Sequence, residues 1–168
     1  FSRESSSLVV DIAVVGAGAA GFFAAITAKQ MQPQARVSLF ERGDHPLKKV
    51  GLTGGGRCNL TNSFAAVTDL KQVYPRGHQL LKRLFKSFNH EDAMAWFQKA
   101  GVPLVTQVDH CVFPQSQDAQ TIVETLMKEA ERMGVELHYR HTFTGLSPMD
   151  DDHLSLAFRE AKSVICRQ

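Results

Sequence analysis

An apolar, β-branched run that leads directly into a glycine-spaced loop constrains the fold of this chain more than any other feature. The run covers residues 8–16, is broken only by Asp11, and predicts a buried parallel strand. A helical stretch follows and ends before Pro33, and residues 35–42 alternate in a way that predicts a second strand. A strand, a helix and a strand in so short a segment form a right-handed parallel crossover, which indicates an α/β chain.

The loop between the predicted strand and helix has the pattern G-x-G-x-x-G. Gly16 permits a tight turn, Gly18 lets a pyrophosphate reach the backbone, and Gly21 lets helix and strand pack closely. The start of the helix supplies unpaired N–H groups for phosphates. We therefore predict a dinucleotide site in a Rossmann-like fold, with cofactor contacts from Gly16, Ala17, Gly18, Ala19, Ala20 and Gly21.

Glu41 ends the second predicted strand, about twenty residues after Gly21, where a carboxylate accepts hydrogen bonds from both ribose hydroxyls of an adenosine. The same carboxylate repels a 2′-phosphate, so NADP is disfavoured at this loop. The pattern suits FAD and NAD equally, because both are held by the adenosine. A close-packed turn with Glu41 at the surface is the purely structural alternative.

The rest of the chain predicts more elements of the same α/β class. Apolar spacing predicts helices over residues 77–88, 90–100 and 119–133, the second capped by Asn89 and the third by Asp118. Short strands are predicted at 102–107, 111–116 and 135–139, the last of them parallel, and residues 142–168 predict a small β-meander. We expect a polar tail over residues 1–8 and one domain over residues 9–168.

Residues 51–62 have the unusual sequence GLTGGGRCNLTN. Adjacent glycines permit positive φ angles and the close approach of a flat or anionic group. Arg57 is suited to pairing with a pyrophosphate, and the amides of Asn59 and Asn62 to the polar edge of a ring. The alternative is a loop stabilised by its own asparagines, with Arg57 at the surface.

The fingerprint loop, Glu41 and the TGGGRCNLTN run together resemble the BaiN-like (YhiN-like) family of bacterial flavoproteins, whose hallmark is such a run after an FAD fingerprint. Residues 97–126 are similar to a second stretch of that family. The resemblance implies a Rossmann-like FAD-binding domain of the two-dinucleotide-binding type, and a backbone contact from Phe143 to adenine. It implies further cofactor contacts at Glu41, Arg42, Lys48, Gly55, Gly56, Arg57, Cys58 and Asn59.

The chain departs from the family pattern in two respects. Gln107 stands where the family usually has Glu, and His110-Cys111 where it often has Gly-Arg, so the resemblance assigns no role to these positions. Family members are also longer. We therefore expect the N-terminal part of such a protein, an incomplete fold without the substrate domain and the C-terminal segment that closes over the flavin.

The resemblance implies an FAD-dependent oxidoreductase that transfers a hydride between a reduced nicotinamide, such as NAD(P)H, or an organic donor and a small-molecule acceptor. An NAD-binding dehydrogenase and a non-catalytic flavin- or nucleotide-binding module are the alternatives. No acid or base has a recognisable catalytic pattern. Cys58 lacks a CxxC partner and is predicted to be a buried packing residue rather than a redox thiol.

The composition of the chain limits the classes of partner that we expect. The net charge of +2 predicts neither a nucleic-acid partner nor an anionic membrane surface, and no apolar run is long enough to span a bilayer. The three cysteines are widely spaced and form no metal-binding motif, which favours a reducing compartment and therefore the cytoplasm. The sequence gives no indication of oligomeric state.

Overall fold

The computed structural model describes residues 7–167, which cluster into two compact units. The first unit takes in the chain up to Lys48 and again from Leu126, and the second spans Lys49–Thr125. Residues 1–6 of the predicted tail lie outside the described residues, and Leu8 already belongs to the first strand.

A parallel three-stranded sheet forms the centre of the first unit. Its strands β2 (Ile12–Val15), β3 (Val37–Phe40) and β7 (Glu136–His138) lie in the order β2-β3-β7. Helix α1 (Ala19–Met31) connects β2 to β3 and buries Phe22, Ala25 and Ile26. This arrangement confirms the predicted crossover. The expected alternation in β3 is wrong, because all four of its residues are buried, as in a strand covered on both faces.

A second sheet in the same unit has the order β1-β10-β9-β8. Strands β8 (Phe143–Pro148), β9 (His153–Phe158) and β10 (Val164–Arg167) form the predicted antiparallel meander, and β1 (Leu8–Val10) pairs with β10 in parallel. Five buried side chains form a hydrophobic core in this part of the first unit: Val10, Phe40, Leu156, Phe158 and Val164.

The prediction of one continuous strand over residues 8–16 is wrong, because the chain changes sheets at Asp11. The Asp11 carboxylate accepts hydrogen bonds from the Arg36 N–H and from Nη1 of Arg167, each at 2.6 Å. The bond from the Arg36 backbone is the main reason that the pKa of Asp11 is lowered, with the charge of Arg167 adding to it. These two partners hold the chain where β1 ends and β2 begins.

The second unit contains a small antiparallel sheet and several helices. Strands β4 (Thr61–Asn62), β5 (Leu104–Thr106) and β6 (Cys111–Pro114) lie in the order β4-β6-β5. The helices are α2 (Lys48–Leu52), α3 (Leu70–Val73), α4 (His78–Leu84), α5 (His90–Lys99) and α6 (Ala119–Met133), and residues Thr53–Gly56 form a 3₁₀ turn. Both α2 and α6 have residues in each unit.

The predicted helix caps are confirmed. The Asn89 side chain accepts from the N–H groups of Glu91 and Asp92 at 2.7 and 3.1 Å, and Asp92 returns a bond to the Asn89 N–H, which completes a capping box. Asp118 accepts from the Gln120 N–H at 2.8 Å at the start of α6. The helix predicted over residues 77–88 is shorter than expected, since α4 ends at Leu84.

We expect Gly21→Ala to destabilise the first unit, because a Cβ at this position would lie 1.9 Å from the backbone oxygen of Gly16. Overpacking of this kind typically costs about 1–3 kcal/mol, and a clash with backbone leaves little room for relief. Urea unfolding of the parent and of Gly21→Ala measures the difference in their free energies of unfolding. Gly51→Ala is the control, because no atom lies within 4 Å of its added Cβ. Equal unfolding free energies for Gly21→Ala and the parent would contradict the packing role.

Candidate functional site

The glycine loop is fixed to the carboxyl ends of β2 and β3 by backbone hydrogen bonds. Gly16 has φ of 99°, a left-handed conformation that favours glycine, and its N–H donates to the Phe40 carbonyl at 2.7 Å. Ala17 is buried; its N–H donates to Oε2 of Glu41 at 3.0 Å and its carbonyl accepts from the Leu47 N–H at 2.8 Å. Hydrogen bonds within the protein therefore hold the loop in place without any contact from a ligand.

The two remaining fingerprint glycines serve different purposes. Gly21 is required by internal packing against Gly16, as its forbidden Cβ position shows. Gly18 has an ordinary φ of −88°, and a Cβ there would meet nothing within 4 Å. Ala19 and Ala20, which begin α1, are exposed, and the first turn carries no acidic side chain. This helix start is open to an anion.

Glu41 connects the loop to the strand ends. Its carboxylate accepts from the N–H of Ala17 through Oε2 and from the N–H of Gly43 through Oε1 at 2.8 Å. Its own backbone donates to the His138 carbonyl and accepts from the His141 N–H, both at 2.8 Å. Each carboxylate oxygen keeps a further lone pair for a ligand hydroxyl.

A cavity of about 310 Å³ opens beside Glu41, within the first unit. It brings together four residues predicted from the sequence, Gly16, Glu41, Arg42 and Phe143. Sequence reasoning missed His141 and Thr142, which also line it, although they follow a predicted parallel strand, where ligands of open α/β sheets bind. We call this space the Glu41 cavity.

An aromatic cluster supports the wall of the Glu41 cavity. Phe40 stacks on His138, with ring centroids 4.8 Å apart, and also contacts the His141 ring. Burial, followed by the charge of His141, lowers the pKa of His138, so that His138 is neutral at pH 7. Nδ1 of His141 lies 2.7 Å from the Tyr139 carbonyl, which can accept a hydrogen bond only from a protonated Nδ1.

Lys48, another predicted contact, does not line the Glu41 cavity. Its Nζ lies 3.0 Å from Oδ1 of Asp44, and both side chains are more than half exposed. Among residues 7–167, no group of three His, Cys, Asp or Glu side chains is placed to hold a metal ion. Over the same residues, no helix has the length and apolar character required to cross a membrane.

The glycine run of the second unit has a left-handed backbone at Gly54, Gly55 and Gly56, with φ of 58°, 67° and 83°. A Cβ on Gly54 would lie 2.7 Å from the Asn59 nitrogen, so this glycine is needed for packing. Gly55 and Gly56 have nothing within 4 Å of their Cβ positions. The backbone turn explains all three glycines, and open space lies next to the last two.

Arg57 is engaged within its own unit. Its Nε donates to the Gly54 carbonyl at 3.1 Å, and Nη1 donates to Oε1 of Gln117 at 3.3 Å. The guanidinium lies over the Phe113 ring, 4.4 Å from its centroid, a cation–π contact. Two of the guanidinium nitrogens thus orient the side chain, and Nη2 is the nitrogen best placed to contact a ligand.

Cys58 and Asn59 are also oriented by the loop. Cys58 is 5% exposed at φ of 59°, in keeping with a packing residue, and burial raises the pKa of its thiol, against a smaller opposite effect from Thr53. Nδ2 of Asn59 lies 3.4 Å from Sγ of Cys111. His110, where the family pattern often has Gly, is left-handed at φ of 66°, which explains the preference for glycine there.

We expect Cys58 to react with a thiol reagent at pH 8 at least about tenfold more slowly than Cys111 and Cys166, because it is buried and its raised pKa reduces the thiolate fraction. Titration with Ellman's reagent measures the rates, and Cys58→Ala is expected to remove the slow phase alone. In denaturant all three thiols are expected to react alike. A slow phase that persists in Cys58→Ala would contradict this assignment.

Comparison with known proteins finds curated relatives that match about three quarters of this chain. The chain is 28% identical over 127 residues to the 3-dehydro-bile acid delta(4,6)-reductase of Clostridium scindens, covering 76% of this chain and 30% of that protein. It is 31% identical over 130 residues to the ribosomal RNA dihydrouridine synthase of Escherichia coli, covering 77% and 31%. The chain thus spans about a third of the length of these curated relatives.

A solved structure shows the same fold at low identity. The 3-ketosteroid-Δ4-(5α)-dehydrogenase of Rhodococcus jostii RHA1 has a TM-score of 0.66 at 16% identity, covering 98% of this chain and 45% of that one. The family described as HI0933-like protein Rossmann domain matches residues 10–168. The expected α/β fold and the expected family are both confirmed: the chain belongs to the HI0933-like family, of which it contains the Rossmann domain.

Proposed function

We propose that this chain is the nucleotide-binding part of an FAD-dependent oxidoreductase. The Glu41 cavity carries the proposal, because it places the Glu41 carboxylate beside Gly16, the first residue of the glycine loop, at the carboxyl ends of parallel strands. The residues suit an adenosine diphosphate group: Glu41 has lone pairs for ribose hydroxyls, Gly18 leaves open space at the start of α1, and Arg42 supplies a positive charge.

FAD is favoured over NAD by the GGGRCN run, for which a simple NAD dehydrogenase has no use, and by membership of the HI0933-like family. FAD, when bound, supplies hydride transfer. In this proposal the residues of the chain bind and orient it: Glu41 positions the ribose, the loop N–H groups the pyrophosphate, and Phe143 the adenine. In the same proposal FAD also contacts residues of the GGGRCN run, namely Gly55, Gly56, Arg57, Cys58 and Asn59.

The reaction is proposed from the relatives. The names of the bile acid reductase and of the dihydrouridine synthase both denote the addition of hydrogen to a carbon–carbon double bond. We infer that the whole protein likewise adds a hydride and a proton to a double bond in an organic substrate, with NAD(P)H as the hydride source. Three free thiols support a reducing compartment such as the bacterial cytoplasm.

Two variants test the proposed nucleotide site, one in the glycine loop and one in the Glu41 cavity. Gly18→Val is expected to keep the fold, because its Cβ meets nothing, and to weaken FAD binding at least about tenfold by occupying the space of the pyrophosphate. Glu41→Ala is expected to cost about 1.5–3 kcal/mol of binding free energy through lost charged hydrogen bonds. Flavin absorbance and fluorescence titrations of the full-length protein measure both.

Gly145→Val is the matched control for Gly18→Val, since Gly145 also has an open Cβ position but lies in β8, outside the glycine loop and the lining of the Glu41 cavity. It is expected to bind FAD as the parent does. FAD affinity unchanged in both Gly18→Val and Glu41→Ala would refute the site, and binding of NAD without FAD would favour the dehydrogenase alternative.

A further inference from the structure

Arg57 belongs to a network of partly buried side chains within the second unit. Its Nη1 donates to Oε1 of Gln117 at 3.3 Å, and the same oxygen accepts from Nε2 of Gln107 at 3.4 Å. Nε2 of Gln117 donates in turn to the Pro114 carbonyl at 3.1 Å. Two neutral amides thus surround one side of the guanidinium.

The orientation of both amides follows from the arginine. A guanidinium can only donate, so the side-chain oxygen of Gln117 must face it. A second contact to that oxygen must also come from a donor, which is the amide nitrogen of Gln107. The nitrogen of Gln117 then faces the Pro114 carbonyl, which can only accept. Every contact in the network has one donor and one acceptor, and Arg57 is its one charged member.

The backbone holds both glutamines in place. Gln117 has φ of 56°, an uncommon and costly conformation for a residue other than glycine, and its N–H donates to the Pro114 carbonyl at 2.9 Å. Gln107 follows β5; its N–H donates to the Cys111 carbonyl at 2.8 Å and its carbonyl accepts from the His110 N–H at 2.9 Å. The fold therefore keeps these side chains beside the guanidinium at a cost in backbone strain.

The charge of Arg57 has no carboxylate partner. Within residues 7–167, no Asp or Glu forms an ion pair with it. Oδ1 of Asp109 accepts instead from the Cys111 N–H at 3.0 Å; this bond is the main reason that the pKa of Asp109 is lowered, and the charge of Arg57 contributes least. Neutral acceptors orient a guanidinium as a carboxylate does, but they do not cancel its charge.

We propose that Gln107 and Gln117 are positioning residues that orient Arg57 and leave its charge available to the anionic phosphates of FAD. The inference rests on the proposed function, in which Arg57 contacts the cofactor. It adds a role for two glutamines that lie outside both the fingerprint loop and the GGGRCN run. A guanidinium suits phosphate oxygens because it presents charged, coplanar N–H groups, and it does so best when its orientation is fixed.

Gln107→Glu tests the charge, because it keeps the size of the side chain and adds a carboxylate. Nε2 of Gln107 and Nη1 of Arg57 share one acceptor, so they lie within about 7 Å of each other, the sum of their two distances to it. FAD affinity of the full-length protein is expected to fall about tenfold, since the new carboxylate competes for the guanidinium. The free energy of unfolding without FAD is expected not to fall. Flavin fluorescence titration and urea unfolding measure the two quantities.

Three further variants separate the network from a general effect of charge or packing. Gln79→Glu, the matched control, adds the same charge at an exposed position of α4 and is expected to bind FAD as the parent does. Gln107→Met leaves the charge of Arg57 uncancelled and is expected to weaken binding less than Gln107→Glu. In an Arg57→Gln background, which has already lost the cation, Gln107→Glu is expected to lose most of its effect.

Equal losses from Gln107→Glu in the parent and in the Arg57→Gln background would overturn the inference, because the glutamine would then act without the arginine. Unchanged FAD affinity in Gln107→Glu would also overturn it, as would a less stable Gln107→Glu protein, in which lost affinity reflects damage to the fold. If Gly18→Val and Glu41→Ala weaken FAD binding but Arg57→Gln does not, the proposed function stands and this inference fails. A parent protein that binds no FAD overturns both.

Discussion

The hydrogen bonds of the Glu41 carboxylate determine the arrangement of the nucleotide-binding end of the first unit. One oxygen takes the Ala17 N–H from the glycine loop and the other takes the Gly43 N–H from the segment after β3. Both N–H groups would otherwise need another partner, and the oxygens of a half-buried carboxylate likewise need donors. The side chain that is suited to a ribose is therefore also the one that positions the loop suited to the pyrophosphate. Removing the Glu41 side chain therefore disturbs both the position suited to the ribose and the glycine loop suited to the pyrophosphate.

Local patterns allowed most of the first unit to be predicted, because the loop glycines, α1 and β3 lie close together in sequence. The change of sheet at Asp11 was not predictable in this way. It depends on Arg36 and on Arg167, which is separated from Asp11 by most of the chain and reaches it only once β10 has formed. The burial of every residue in β3 likewise depends on cover from both faces, which an isolated strand sequence does not reveal.

In the candidate site, sequence reasoning found the residues with a fixed motif position, and Phe143 from the family resemblance, but missed His141 and Thr142, which are defined by topology. Gly16 and Glu41 belong to a spacing rule, so they were found. His141 and Thr142 line the Glu41 cavity only because β7 pairs beside β3 and the chain then turns toward Glu41. The three glycines of the second unit were interpreted alike, yet the structure separates Gly54, which packs against Asn59, from Gly55 and Gly56. Only the surroundings of each Cβ position distinguish these roles.

The second unit also has a local charge distribution that the net charge of the chain does not reveal. A total of +2 is compatible with a uniform surface, but also with a segment of five unpaired cations balanced by carboxylates elsewhere. In the first unit, carboxylates such as Glu136 and Glu129 are paired with arginines, which neutralises charge locally. The lysines and arginines of residues 70–90 have no ion-pair partners within the described chain, and the three flanking carboxylates of Asp69, Glu91 and Asp92 are fewer than these five cations. At a Debye length of about 8 Å in physiological salt, an approaching anion responds to that local excess and not to the sum.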